Sequence, residues 1–192
     1  MNRTKQALAA AFKSLLADRP FEQVSVAELC RVCGISRKSF YYHFRDKYEL
    51  ADWICVSESA TVLQAQDYEN TWAMLEQLCA YFYRERGFYR KLFQVSGQNA
   101  FGVNFWAEVA AILMEDLGRL MPGEACLEFY ADFYADAFVG ALRRWISSRE
   151  PMSPSAFSAC VRNCFCQVAG TLLQSLDKKV EAEGNTGDIP QK

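Results

Sequence analysis

Between Ser25 and Lys47 the chain reads SVAELCRVCGISRKSFYYHFRDK, and three helix starts, at Ser25, Ser36 and Asp46, are written into that one stretch. Ser25 is placed to cap a helix and Glu28 to close a capping box with it, while Val24 and Leu29 hold the two positions of a hydrophobic staple. Val26, Leu29, Cys30 and Cys33 recur at the spacing of one apolar helix face. Gly34 follows as a stop that accepts positive φ. Ser36 then caps a second helix, with Ile35 and Phe40 as its staple. Phe40 and Phe44 share a face, which leaves Arg37, Lys38, Tyr41 and Tyr42 to point elsewhere. Asp46 with Glu49 opens a longer helix whose first turn holds Lys47. Signals this close together leave room only for short helices and tight turns.

Upstream, Thr4 to Asp18 reads as an amphipathic helix with Leu8, Phe12, Leu15 and Leu16 on one side, ended by Pro20 and Phe21. Helix, helix, turn, helix, with the last one basic and aromatic, is the order of a three-helix helix-turn-helix domain. The charge distribution agrees. Residues 1–47 carry nine Lys/Arg and four Asp/Glu, a net of +5, whereas the remainder carries twelve and nineteen, a net of −7, within an overall −2. A basic head on an acidic body is suited to a polyanion, because neutralising phosphates and releasing their counterions supplies most sequence-independent affinity for nucleic acid. The competing reading of the same charges is a merely solvated helix face.

Beyond Asp46 the pattern is helical throughout, with segments near 46–66, 69–86, 99–121, 124–148 and 155–183 and shorter pieces around Gly87–Gly97. Pro122, Pro151, Pro154 and Pro190 are the only later prolines, and alternation of the β type is absent. The sequence therefore predicts an all-α protein: a helix-turn-helix domain over 1–47, a larger helical domain over 48–183 and a disordered tail over 184–192. Half of the residues are hydrophobic, ample for a sizeable core, yet no stretch is long enough to span a bilayer and no signal-peptide segment opens the chain. Most of the eight cysteines, Cys30, Cys33, Cys55, Cys79, Cys126, Cys160 and Cys164 among them, fall on or beside apolar helix faces, as small hydrophobes do. A reduced, cytoplasmic protein is expected. Cys30-x-x-Cys33 and Cys160-x3-Cys164-x-Cys166 lack a second ligand pair at zinc spacing, so no metal or other cofactor is expected; a thiol switch stays open. With a single histidine, His43, and no phosphate-binding glycine loop, an enzyme is not expected either.

From Ala7 to Leu50, about a quarter of the chain, the residues Phe21, Val26, Leu29, Gly34, Ser36, Phe40, Tyr41, Tyr42, His43, Phe44, Lys47 and Leu50 resemble the N-terminal domain of TetR-type transcriptional regulators. Phe138–Trp145 followed by a Ser-Pro start resembles the branch of that family that includes dihydroxyacetone-kinase operon regulators. The resemblance implies a homodimeric regulator, a repressor in the first instance, on a pseudo-palindromic operator of double-stranded DNA, modulated by an unknown small-molecule effector, with no membrane partner. Within that reading Arg37 and Lys38 reach base edges, where arginine to guanine is the commonest specific contact. Ser39, Tyr41, Tyr42 and Lys47 hold phosphates, helped by amide donors at the helix start at Asp46. Ser25 and Ser36 are counted with them although capping alone explains Ser25. His43 is within reach of phosphate, with packing as its simpler role.

Two features of the helical body bear on the rest. Phe133, Ala137, Gly140, Ala141, Arg144 and Trp145, with Cys166, Ala169, Gly170, Leu173 and Leu176, alternate small and large residues at helical spacing, as helices that pack closely do. They are the expected dimer interface, an ordinary monomer core being the alternative. Aromatic density between Trp72 and Tyr134 marks the expected effector pocket, with Trp72, Phe82, Phe88, Phe93, Phe101, Phe105, Tyr130 and Tyr134 as walls. Asn99, with Gly97, Gln98, Gly102 and Asn104, is the expected mouth. Such a stripe also suits a plain core. A non-enzymatic adaptor or coactivator of the same fold, working through a protein partner, is the alternative to DNA binding.

Overall fold

A computed structural model of the chain describes residues 3–65, 68–94 and 102–168, which form α-helices and no strand. Helices α1 (Arg3–Asp18), α2 (Val26–Cys33), α3 (Arg37–His43) and α4 (Lys47–Gln64), with a 3₁₀ turn at Phe21–Gln23, make the N-terminal part. Helices α5 (Thr71–Arg84), α6 (Arg86–Phe93), α7 (Val103–Leu120), α8 (Leu127–Ser147) and α9 (Pro154–Asn163, prolonged by a π turn at Cys164–Val168) follow. The all-α expectation is the fold observed. The end of the last expected segment and the 184–192 tail lie outside the described residues.

Local chemistry fixes the head. Ser25 Oγ accepts from Glu28 N at 3.2 Å, Ser36 Oγ from Ser39 N at 3.1 Å, and Asp46 Oδ1 from Tyr48 N and Glu49 N at 2.9 Å each. Gly34 takes the left-handed conformation that ends α2, at φ 65°. The capping box at Ser25 is half made, because the Glu28 carboxylate turns to Arg19 at 2.8 Å instead of reaching back to the cap. The segment expected near 69–86 is α5, which ends at Glu85, where φ −89° and ψ 12° leave the helical path, and α6 falls among the shorter pieces expected around Gly87–Gly97. Gly87, two residues on, is the local signal for that break. The break is held by packing of Phe82 on Tyr89, with ring centroids 4.7 Å apart, and by Lys13, whose ammonium lies 3.0 Å from Glu85.

Leu8, Phe12 and Leu16 of α1 are fully buried, together with Phe21, Leu29 and Phe40 of the head. The Phe12 ring meets Phe21 edge-on at 5.8 Å and Phe88 of α6 at 6.2 Å, so one side chain belongs to both cores. Around it lies a polar junction. Lys13 Nζ is 2.5 Å from Glu58 of α4, and the Tyr81 hydroxyl donates to the same carboxylate oxygen at 2.6 Å. Burial pushes the Cys55 thiol and the Tyr81 and Tyr89 hydroxyls well up, which keeps them neutral.

Helix α6 makes two further ties. Lys91 donates to the carbonyls of Leu16, Ala17 and Arg19, the last at 3.3 Å, closing the end of α1 with a cation. Arg90, one residue earlier, donates to Ile146 O at 3.2 Å and Ser148 O at 2.7 Å, doing the same for α8. Beyond α6, α7 packs along α8 and α5 along α9.

Candidate nucleic-acid interface and ligand chamber

Helix α3 is pinned from beneath by Phe40, which is fully buried, and by Phe44, whose ring centroid is 6.0 Å away. Its opposite face is open. Tyr42 is 85% and Tyr41 57% exposed, an unusual display for tyrosines on a capped, anchored helix. Arg37 and Lys38 are exposed in its first turn, and among the described residues neither enters an ion pair. Cations at one end of a rigid helix and phenols along its outer side are suited to base edges and phosphates. The other expected members have local duties. Ser25 and Ser36 spend their hydroxyl oxygens on caps, Ser39 is half-buried with its amide on Ser36, and the His43 ring packs edge-on to Tyr42 at 5.1 Å.

Lys47 departs from expectation. Its ammonium donates to Phe21 O at 2.7 Å, Val24 O at 2.8 Å and Glu22 O at 3.2 Å, and sits 4.4 Å above the Phe21 ring. Burial lowers its pKa, with Glu22 acting in the opposite direction. With all three protons on carbonyls, it locks the 3₁₀ turn onto α4 and has none left for a phosphate. Two amides at the start of α4 are likewise occupied, by Asp46. Lys47→Met should therefore cost about 1.5–3 kcal/mol of stability, the range for hydrogen bonds to a charged group. In urea titration the midpoint falls, while the salt dependence of DNA binding by the folded variant keeps its slope. A changed slope with unchanged stability would return Lys47 to the phosphates.

A half-open chamber of about 420 Å³ lies between the end of α4 and helices α5, α7, α8 and α9. Its walls are mainly aliphatic, among them Leu75 and Leu78 of α5 and Ile112, Leu113 and Leu117 of α7. It adjoins a polar recess of about 330 Å³, where Tyr68, Asn70, Glu115 and Arg119 take part. Thr71, Asp116 and Arg119 line both spaces. Of the expected pocket residues only Trp72 is in the chamber wall. Phe82, Phe88, Phe93 and Phe105 are buried core instead, packed ring on ring; Phe82, for example, lies 5.2 Å from Phe105. Tyr134 stands behind the wall, stacked on Phe165 at 4.6 Å, and Tyr130 is half-buried beside Phe129. Asn99 and Phe101 lie outside the described residues. The void lies in another layer than the aromatic density: flat rings fill space well, and the gap is where branched side chains face one another. The signal for it was the α7 stripe Val109, Ile112, Leu113, Leu117 and Leu120, which borders the polar Asp116 and Arg119.

The expected dimer residues divide in two. Ala137 and Arg144 are exposed and Gly140 and Ala141 half-exposed, continuing a face that carries Phe129 and Phe133, 67% and 57% exposed and stacked on each other. Trp145 is not on that face. It is buried, stacked on Phe157 at 4.2 Å, and donates from Nε1 to Met152 O at 2.9 Å, so it anchors α9 within the protomer. Ala169, Leu173 and Leu176 lie outside the described residues. Cys126, Cys160, Cys164 and Cys166 are exposed, contrary to the core placement expected of three of them, whereas Cys30, Cys55 and Cys79 are buried. Among the described residues no cluster of His, Cys, Asp and Glu is arranged to hold a metal ion, and no helix is long and apolar enough to cross a membrane.

Similarity to other proteins follows the same division. Residues 7–53 match the family model for bacterial regulatory proteins of the tetR family, and residues 69–165 match that for the transcriptional regulator C-terminal region. The HTH-type dhaKLM operon transcriptional activator DhaS of Lactococcus lactis subsp. lactis (strain IL1403) is 30% identical over 93 residues, 48% of this chain and 50% of that protein. The chain thus spans about half the length of the curated relative it matches. A solved structure of a dihydroxyacetone kinase operon activator DhaS superposes with a TM-score of 0.60 at 22% identity, covering 84% of this chain and 93% of that one. A TetR transcriptional regulator from Streptococcus agalactiae 2603V gives 0.62 at 18% identity, covering 83% and 91%. At such identities these structures show the shared fold. With its head matched by one family model and half of its length by the other, the chain belongs to the TetR family of bacterial transcriptional regulators.

Proposed function

We propose that the chain works as a homodimer that binds a pseudo-palindromic operator through α3 and releases or engages it in response to a small molecule in the α5–α7 chamber. The observation that carries this reading is the open outer face of α3, where Arg37, Lys38, Tyr41 and Tyr42 are exposed on a helix that Phe40 holds from behind. One such helix reads only half a site. Two of them roughly 34–36 Å apart read consecutive major-groove faces of one duplex, which requires a second copy. The exposed strip Phe129, Phe133, Ala137 and Gly140 on α8 is the surface proposed to meet it, with the outer face of α9 alongside. Domain limits at 1–47 and 48–183 are part of this proposal. Repression is the sign implied by the resemblance in the head; the Lactococcus relative is named an activator. The same dimer serves either sign, according to where the operator stands relative to the promoter.

Fluorescence anisotropy of the purified protein, with DNA from upstream of its own gene and a scrambled fragment across a salt series, tests the reading. The native fragment should bind at least about a thousandfold more tightly, the lower end of specific over non-specific binding. Its affinity should fall steeply with salt as counterions are released. Equal, weak binding to both fragments would favour a protein that acts through a partner.

A further inference from the structure

The walls of the α5–α7 chamber limit what it can hold. Along its length it is lined by Leu, Ile, Val, Met, Phe and Trp side chains, and charged groups occur only at one end, where Asp116 and Arg119 border the polar recess. A hydroxyl or carbonyl placed deep inside would lose its water without gaining a partner, at a cost that a polyol would meet several times over. The body of the ligand must be apolar. At roughly 30 Å³ each, the share of a water molecule in the liquid, the volume has room for about fourteen non-hydrogen atoms.

The rim supplies the other half of the specification. Arg119 Nη2 is 2.7 Å from Glu115 and 3.5 Å from Asp116, so a single guanidinium serves two carboxylates and the rim retains one negative charge. Thr71 Oγ1 donates to the second Asp116 oxygen at 3.3 Å, which holds that carboxylate at the chamber edge. An anionic head would face this excess of negative charge, with Arg119, the one cation lining the two spaces among the described residues, already engaged. A cationic head would complete it.

Resting on the effector reading above, we propose that the chamber takes an amphipathic cation: an aliphatic or compact ring body between α5 and α7, with an ammonium group at Asp116. The ligand class is thus unlike the polyhydroxy ketone in the names of the DhaS relatives.

The test compares n-decylamine, n-decanol, n-decanoate and dihydroxyacetone by isothermal titration calorimetry on the full-length protein, each below its aggregation concentration. Tryptophan fluorescence, with Trp72→Phe to isolate the share of the one tryptophan in the chamber wall, gives a second readout. Decylamine should bind at least about tenfold more tightly than decanoate, a difference of about 1.4 kcal/mol. Dihydroxyacetone should show no heat. Asp116→Asn should bring the amine and the acid to within about threefold, the remainder expected of an exposed charge pair. Leu113→Phe, which narrows the chamber while staying apolar, should weaken all three ten-carbon ligands together. Decanoate binding as tightly as the amine, or Asp116→Asn leaving their ratio unchanged, would overturn the ligand class and leave the effector site standing. No binding by any ten-carbon ligand, or binding indifferent to Leu113→Phe in a variant that melts like the parent, would remove the effector site as well.

Discussion

Replacing Arg37 and Lys38 together by alanine is expected to lower operator affinity by at least about a thousandfold, since each proposed base-edge contact contributes about 1–3 kcal/mol and a dimer makes each of them twice. The loss should be sequence-dependent. Affinity for the native operator collapses towards that for scrambled DNA, and the scrambled affinity falls much less. Stability should stay put, because both side chains are exposed and neither makes an ion pair among the described residues. Anisotropy on both fragments together with a thermal melt separates these quantities. A regulator that acts through a protein partner, without reading DNA, would be indifferent to the double substitution. Equal losses on both DNAs would recast the pair as phosphate contacts and move base reading elsewhere on α3.

The largest effect on folding should come from Phe12→Ala. That ring is fully buried and touches Phe21 in the head and Phe88 in the body, so truncation opens a void where the head packs on the body. Large-to-small changes of this kind cost about 3–5 kcal/mol. For a chain of this length the melting temperature should drop by roughly 6–20 °C, at about 2–4 °C per kcal/mol. Phe12→Leu should recover much of it. A loss below about 1 kcal/mol, the usual effect of an ordinary point substitution, would mean that α1 does not depend on its dock against α6.

What could be read from the sequence depended on distance along the chain. The caps at Ser25, Ser36 and Asp46, the stop at Gly34 and the Phe40/Phe44 anchor all act within five residues, and each stands where its spacing placed it. The bonds of Lys47 were not legible because its partners are the carbonyls of residues 21, 22 and 24, brought near only by folding. The same holds at Trp145, whose small-residue neighbourhood looked like an interface until α9 brought Phe157 against it. The break at Glu85 was legible from Gly87, two residues on, whereas the aromatic cluster and Lys13 that hold it come from outside the segment. The chamber was least legible of all. A cavity is defined by where side chains do not reach, and the α7 stripe that lines it has the periodicity of any buried helix face.

The adjacent cations of α6 set a condition on exchanging parts between proteins of this kind. Lys91 closes the end of α1 from a position more than forty residues beyond the helix-turn-helix, and Arg90 beside it closes α8. A transplant cut after α4 would carry every residue of the proposed DNA-reading face and leave this clasp behind. Grafting the head onto a foreign body therefore means grafting α6 with it, and the smallest portable unit of recognition is not contiguous in sequence.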